Sequence, residues 1–187
     1  MRVLTEAQPL AGTVDAVAAP AFEAVYREHA MTVARWVARL GGPLLDVEDV
    51  THDVFVKVQR ELPKFRGDAQ LTTWLFTMTA NTVRTRRRTE AFRRFFRASS
   101  DDGLEVADEK ALAPELLERR DAERALYRVL DKLAERDRQV LVLFELEGRS
   151  GREVAELLQV KEEAVWVLRH RAKARFAKHM QEVRDEP

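Results

Sequence analysis

Apolar residues recur at steps of three and four along nearly the whole chain, and strand-like alternation is almost absent, so the pattern predicts an all-α protein. Phe22, Val25, Tyr26, His29, Val33 and Trp36 mark a first amphipathic helix, which Gly41, Gly42 and Pro43 stop. Asp46 offers an N-cap to a second helix, with an apolar stripe of Val47, Val50, Val54 and Val58 and Phe55 beside it. Its opposite side carries Asp46, Asp49 and Asp53. Pro63 closes that helix and residues 65–68 read as a loop. From Trp74 to about Arg88 a third helical pattern turns from apolar to basic along its length, with Trp74 expected in the core.

From Ser99 to about Pro114 the chain becomes acidic and small, with no apolar stripe, which predicts a linker. Leu117, Leu126, Val129, Leu130 and Leu133 then form a new stripe, followed by Val140, Leu141, Leu143 and Phe144 before Gly148. Ser150 and Glu153 make a capping box for a short helix through Leu158. After a turn over residues 159–161 a longer basic helix runs through Phe176, so the pair is a helix-turn-helix candidate. On a heptad-free helical wheel Val165, Leu168, Ala172 and Phe176 point inward, while Glu163, Val167, His170, Arg171, Ala174 and Lys178 point outward. The organisation is two small helical domains joined by an acidic linker. The parts are a tail (1–19), a first domain (20–92), the linker (93–113), a second domain (114–180) and a C-terminal tail (181–187).

Charge adds what periodicity does not. The 187 residues carry 32 basic and 32 acidic side chains, yet seven arginines fall between Arg84 and Arg97, with Phe92, Phe95 and Phe96 interleaved. Such a mixture suits phosphate neutralisation and base stacking on a single strand, and it equally suits a solvated face or a protein contact. The absence of cysteine excludes disulfides, thiolate metal sites and thiol catalysis, and favours a cytoplasmic setting. Neither a signal peptide nor a membrane span is expected. Asp49 or Glu48 with His52 has helical spacing suited to a metal or an acid–base pair, but no second ligand cluster joins them. No Gly-rich phosphate loop, nucleophile elbow or catalytic carboxylate pair is present, so no enzyme, metal or cofactor is expected.

Two blocks resemble the extracytoplasmic-function (group IV) sigma factors of bacterial RNA polymerase. "DVEDVTHDVFVKV" (46–58) and "FRGDAQLTTWLFTMTANTVRTRRR" (65–88) look like the family's first domain, and "LAERDRQVLVLFELEGRSGREVAELLQV" (133–160) looks like its second. The resemblance covers roughly residues 20–90 and 114–178. It implies a region 2 domain for polymerase docking and the minus-ten element, a region 4 helix-turn-helix for the minus-thirty-five element, and chemistry left to the polymerase.

By the same resemblance Asp46, Asp49, His52 and Asp53 would dock on core polymerase. Phe65, Asn81, Arg84, Arg86, Arg87 and Arg88 would take minus-ten DNA, and Trp166, Val167, His170, Arg171 and Lys173 would take minus-thirty-five DNA. The implied partners are core RNA polymerase, promoter DNA and an anti-sigma factor, with the free chain a monomer outside the membrane. The chain departs from the family at His52, Leu71, Ala134 and Gln159, and most in "AVWVLRHRAK" (164–173), where Trp166, Val167 and Leu168 replace polar positions. Two other readings accommodate this recognition helix: a sigma-like DNA-binding regulator that does not engage polymerase, and a protein-interaction adaptor with a degenerate helix-turn-helix.

Overall fold

The computed structural model describes residues 20–99 and 114–185, all helices and connections. In chain order these are α1 (Phe22–Gly41), α2 (Val47–Glu61), a 3-10 turn (Leu62–Lys64), α3 (Leu71–Ser99), α4 (Pro114–Lys132), α5 (Glu135–Leu141), a π turn (Val142–Leu146), α6 (Gly151–Leu158) and α7 (Glu162–Asp185). The expected N-terminal tail, residues 100–113 of the expected linker and the last two residues lie outside the described residues. The third helix does not end near Arg88, and the linker does not begin at residue 93. α3 continues as one helix through Ser99, because nothing from Thr89 to Arg97 is Gly or Pro, and strong helix formers such as Arg and Ala dominate.

α1, α2 and α3 form the first unit. Val25, Val33, Trp36, Val37 and Leu40 of α1 meet Val50, Val54, Phe55 and Val58 of α2 and Leu75, Phe76, Ala80 and Val83 of α3, all buried. Each Val, Leu or Phe among them contributes about 1.5–3 kcal/mol on leaving water. Trp36 and Phe76 meet edge to face at 5.2 Å. Thr79 and Thr82 are buried among these residues and stay satisfied by donating to the carbonyls of Leu75 and Met78, four residues back. Asp46 caps α2 as its sequence predicts, accepting from the Asp49 N–H at 2.9 Å. Trp74 lies at the edge of this core, partly buried against Phe65.

The second unit packs α4, α5, α6 and α7 around Val129, Leu130, Leu143, Val154, Leu158, Val165 and Ala172. Between α5 and α6 the backbone widens: the Glu147 N–H reaches the Val142 carbonyl at 2.9 Å, one residue farther than in an α-helix. Both halves of the capping box form at α6. Glu153 accepts from the Ser150 N–H at 2.9 Å, and Ser150 accepts from the Glu153 N–H. The turn into α7 is made by Gln159 in the left-handed region, φ 53°, ψ 49°. α7 continues beyond the expected end near Phe176, to Asp185.

The two units are packed on each other rather than held apart. α1 ends against the second unit, where Tyr127 donates to the Arg39 carbonyl at 3.1 Å and Arg138 donates to the Leu40 carbonyl from Nε and Nη2, at 3.0 and 2.6 Å. These are carbonyls of the last helical turn, which have no partner within the helix. Gly42 follows with φ 79°, and a Cβ there would overlap the Tyr127 ring, so both its conformation and the close approach require glycine. Glu147, almost fully buried, pairs with Arg35 of α1 at 2.9 Å. Thr73 of α3 donates to the Glu156 carbonyl of α6 at 3.3 Å.

Two outcomes follow from the helix-turn-helix backbone. Gln159→Gly removes left-handed strain, partly offset by added freedom of the unfolded chain, and should stabilise the protein by about 0.5–1 kcal/mol in urea unfolding. The Ser150 N–H, then the Arg149 guanidinium, hold the Glu153 carboxyl down from 4.5 to about 2. A depressed folded value makes the contribution complete above the unfolded value and lost as pH falls through the folded one. The stability difference between wild type and Glu153→Gln should therefore be full near neutral pH and vanish between about 4.5 and about 2.

Candidate nucleic-acid and polymerase interfaces

α3 supplies both core and surface because its apolar stripe runs out toward its C-terminal half. Asn81, Arg84 and Arg88 fall on one stripe three and seven residues apart, facing away from α2. Asn81 and Arg88 are exposed and Arg84 is half-buried, and no carboxylate lies within ion-pair reach of either arginine among the described residues. Arg86 lies on the opposite side of the helix. It donates to Asp53 of α2 at 2.6 Å and lies 3.3 Å from Asp49, an arrangement that raises its pKa. Arg87 points between these directions and into the second unit, with Nη2 2.7 Å from Asp131 and Nη1 3.4 Å from Glu135. The structure thus splits the four expected phosphate contacts: Arg84 and Arg88 have open guanidinia, Arg86 braces α2 against α3, and Arg87 joins the two units.

Phe65 is not a free ring. It is half-buried with its centroid 5.3 Å from Trp74. Farther along α3, Phe92, Phe95 and Phe96 are all exposed, with Phe92 and Phe96 paired at 4.4 Å.

The acidic side of α2 divides in the same way. Asp46 spends its carboxylate on the helix cap, and Asp53 on Arg86. Glu48, Asp49 and His52 remain exposed in a row that continues to Val56, 52% exposed. A groove of about 760 Å³ beside the row is lined by Tyr26, Met31, Asp49, His52 and Phe55. Val56 and Met31 were not singled out by motif. The signal for Val56 was present, since an apolar residue two positions past Val54 falls off the buried stripe.

On α7 the outward row of Glu163, Val167, His170, Arg171, Ala174 and Lys178 is exposed as the helical phase predicts. Trp166 and Lys173, expected to touch DNA, are engaged within the protein. Trp166 packs on Phe144 of the π turn at 5.6 Å and covers the first residue of α6, where a Cβ on Gly151 would come within 2.8 Å of its ring. Arg169 stacks over Phe144 and donates twice to Glu145, at 3.0 and 2.9 Å, and Lys173 lies 3.4 Å from the same carboxylate. The two guanidinium bonds hold Glu145 below its ordinary pKa. Trp166 therefore sets the angle of α7 on α6 while staying 50% exposed, Lys173 is exposed beside its carboxylate partner, and Val167, His170 and Arg171 are exposed with no such contact among the described residues.

This geometry agrees with what the chain is similar to. Residues 25–93 match the family described as Sigma-70 region 2 and residues 123–176 match Sigma-70, region 4. The RNA polymerase sigma factor YlaC of Bacillus subtilis is 29% identical over 164 residues, covering 88% of this chain and 94% of that protein. The ECF RNA polymerase sigma-E factor of Escherichia coli is 30% identical over 147 residues, covering 74% and 75%. The solved structure of CnrH in complex with the cytosolic domain of CnrY superposes with a TM-score of 0.55 at 25% identity, covering 86% and 88%. With both regions in order and relatives spanning most of its length, the chain belongs to the extracytoplasmic-function sigma factors, which bind core RNA polymerase and recognise promoter DNA.

Proposed function

We propose that the region 2 unit (20–92) docks on core polymerase through the exposed row of α2 and takes minus-ten DNA on the opposite stripe of α3, while the region 4 unit (114–180) faces the minus-thirty-five element with α7. The observation that carries this reading is the placement of open polar groups on two separated faces. Glu48 and His52 line one, with the exposed Asp49, which also lies 3.3 Å from Arg86, and the apolar Val56 beside them, and Asn81, Arg84 and Arg88 line the other. The first offers fixed charge around an apolar residue, the composition of a specific docking surface. The second offers a side-chain amide able both to donate to and to accept from a base edge, flanked by two guanidinia for phosphates. No catalytic step is assigned to the chain, since sigma factors are in general non-enzymatic initiation factors. An anti-sigma factor is a further proposed partner, supported by the solved CnrH structure, which holds a domain of CnrY. No helix among the described residues is long and apolar enough to cross a membrane.

On α7, Val167 suits a thymine methyl and Arg171 a guanine or a phosphate, while Glu163 suits only a cytosine amine. With so few donors outward, promoter choice rests mainly on region 2.

Run-off transcription with purified core polymerase on a genomic promoter library tests the assignment: initiation at a subset of promoters is expected, and none without the chain. Asp49→Lys with Val56→Glu should lower core polymerase affinity by more than about tenfold in a pull-down titration, with helicity unchanged. In the holoenzyme, Arg84→Ala with Arg88→Ala should weaken all promoters alike and reduce the log–log salt slope by about 1–2. Asn81→Ala should instead relax base preference at the minus-ten element, read by competition among promoter variants.

A further inference from the structure

The stripe of α3 that carries Asn81, Arg84 and Arg88 does not end at Arg88. Phe92 lies eleven residues past Asn81 and Phe95 seven past Arg88, so at about 100° per residue each ring falls within about 20° of a residue already on the stripe. α3 stays helical through Ser99, which sets Phe95 about 21 Å along the axis from Asn81, the length of roughly six stacked nucleotides. The match to Sigma-70 region 2 stops at residue 93, so Phe95 and Phe96 belong to this chain's own extension of the helix.

Phe92, Phe95 and Phe96 are 64%, 69% and 53% exposed. Three neighbouring rings are a large apolar surface for one helix to leave in water, and such a patch marks a contact. Phe96 meets both of the others, its centroid 4.4 Å from that of Phe92 and 5.7 Å from that of Phe95, so the rings form one cluster. Arg93 and Arg94 flank it, both exposed, and reach Glu90 only at 3.9 and 3.6 Å. A guanidinium carries five donors, so these loose pairs leave donors for a phosphate. An apolar cluster rimmed by arginine and continuous with a phosphate-reading stripe suits an anionic partner that also has ring faces to offer. Duplex DNA hides those faces in its own stack, whereas a single strand presents them.

We propose that Phe92 and Phe95, braced by Phe96, are a stacking platform for unpaired bases of the promoter strand that Asn81 reads, with Arg93 and Arg94 on its phosphates. Every base has a ring face, so the platform is tolerant of sequence and adds affinity for melted DNA rather than promoter choice. The inference rests on the assignment of the Asn81–Arg88 stripe to promoter DNA.

The test uses the holoenzyme and a labelled single strand carrying the minus-ten element of a promoter recovered by run-off transcription, alone or extended by six thymines at either end, followed by fluorescence anisotropy. Extension at one end should raise affinity at least about fivefold. Phe92→Ala with Phe95→Ala should abolish that gain while the unextended strand binds as before, and helicity should be unchanged because both rings are exposed. Phe92→Trp with Phe95→Trp should keep the gain. Phe92→Leu with Phe95→Leu, which keeps apolar area without an aromatic face, should lose most of it. No gain from either extension, an undiminished gain in the alanine pair, or a full gain in the leucine pair would each overturn the proposal. So would a loss of core polymerase affinity by the alanine pair in a pull-down titration, which would mark the rings as a protein contact. Arg84→Ala with Arg88→Ala separates the two levels. If that pair weakens the unextended strand while the alanine pair leaves the extension gain intact, only the stacking platform is wrong. If the arginine pair has no effect, the promoter assignment of the stripe itself has failed.

Discussion

A guanidinium with no solvent exposure needs its nitrogens hydrogen-bonded and its charge balanced, and Arg138 finds a partner for each nitrogen where the two helical units touch. Two of its nitrogens cap the Leu40 carbonyl, a third reaches Asp131, and its carbon lies 5.4 Å from the centre of the Tyr127 ring. Burial, then the nearby Arg87, pulls its pKa down to about 10, which still leaves it charged at neutral pH. The relative placement of the units follows from this one group. α1 ends where its last carbonyls can be capped, Gly42 clears room for Tyr127, and Asp131 is held where it also meets Arg87.

A seam built this way is closed without being permanent. Separation returns Arg138, Arg87 and Glu147 to water, which recovers much of the hydration given up on burial. A wholly apolar seam of equal area would resist opening far more.

Much of the fold is legible in the sequence because helical periodicity, capping and chain-breaking residues act locally. The Asp46 cap, the Ser150–Glu153 box, the stop at Gly41–Gly42 and the inward and outward rows of α7 all depend on neighbours within a few positions. Gln159 in the left-handed turn follows from its place between two helices. What depends on distant partners was hidden. Arg138 sits in a polar run and reads as a surface residue, and nothing in its neighbours announces a carbonyl 98 positions away. Arg86 and Arg88 look equivalent in a run of arginines, although a helical wheel separates them by about 160–200° and predicts that one turns toward α2. The packing of Trp166 on Phe144 is missed because the π turn that brings Phe144 beneath it has no simple sequence signal.

The central claim is that the two helical units of this chain are packed on each other, with Arg138 of one capping the end of α1 in the other. Spin labels on Thr77 of α3 and Arg152 of α6, both exposed and on helices that meet at the seam, allow their separation to be measured by double electron–electron resonance in the chain alone and in the Arg138→Ala variant. A single short, narrow distance in the wild-type chain, broadened in the variant, is the predicted result. A wild-type chain showing a long or broad distribution would contradict it.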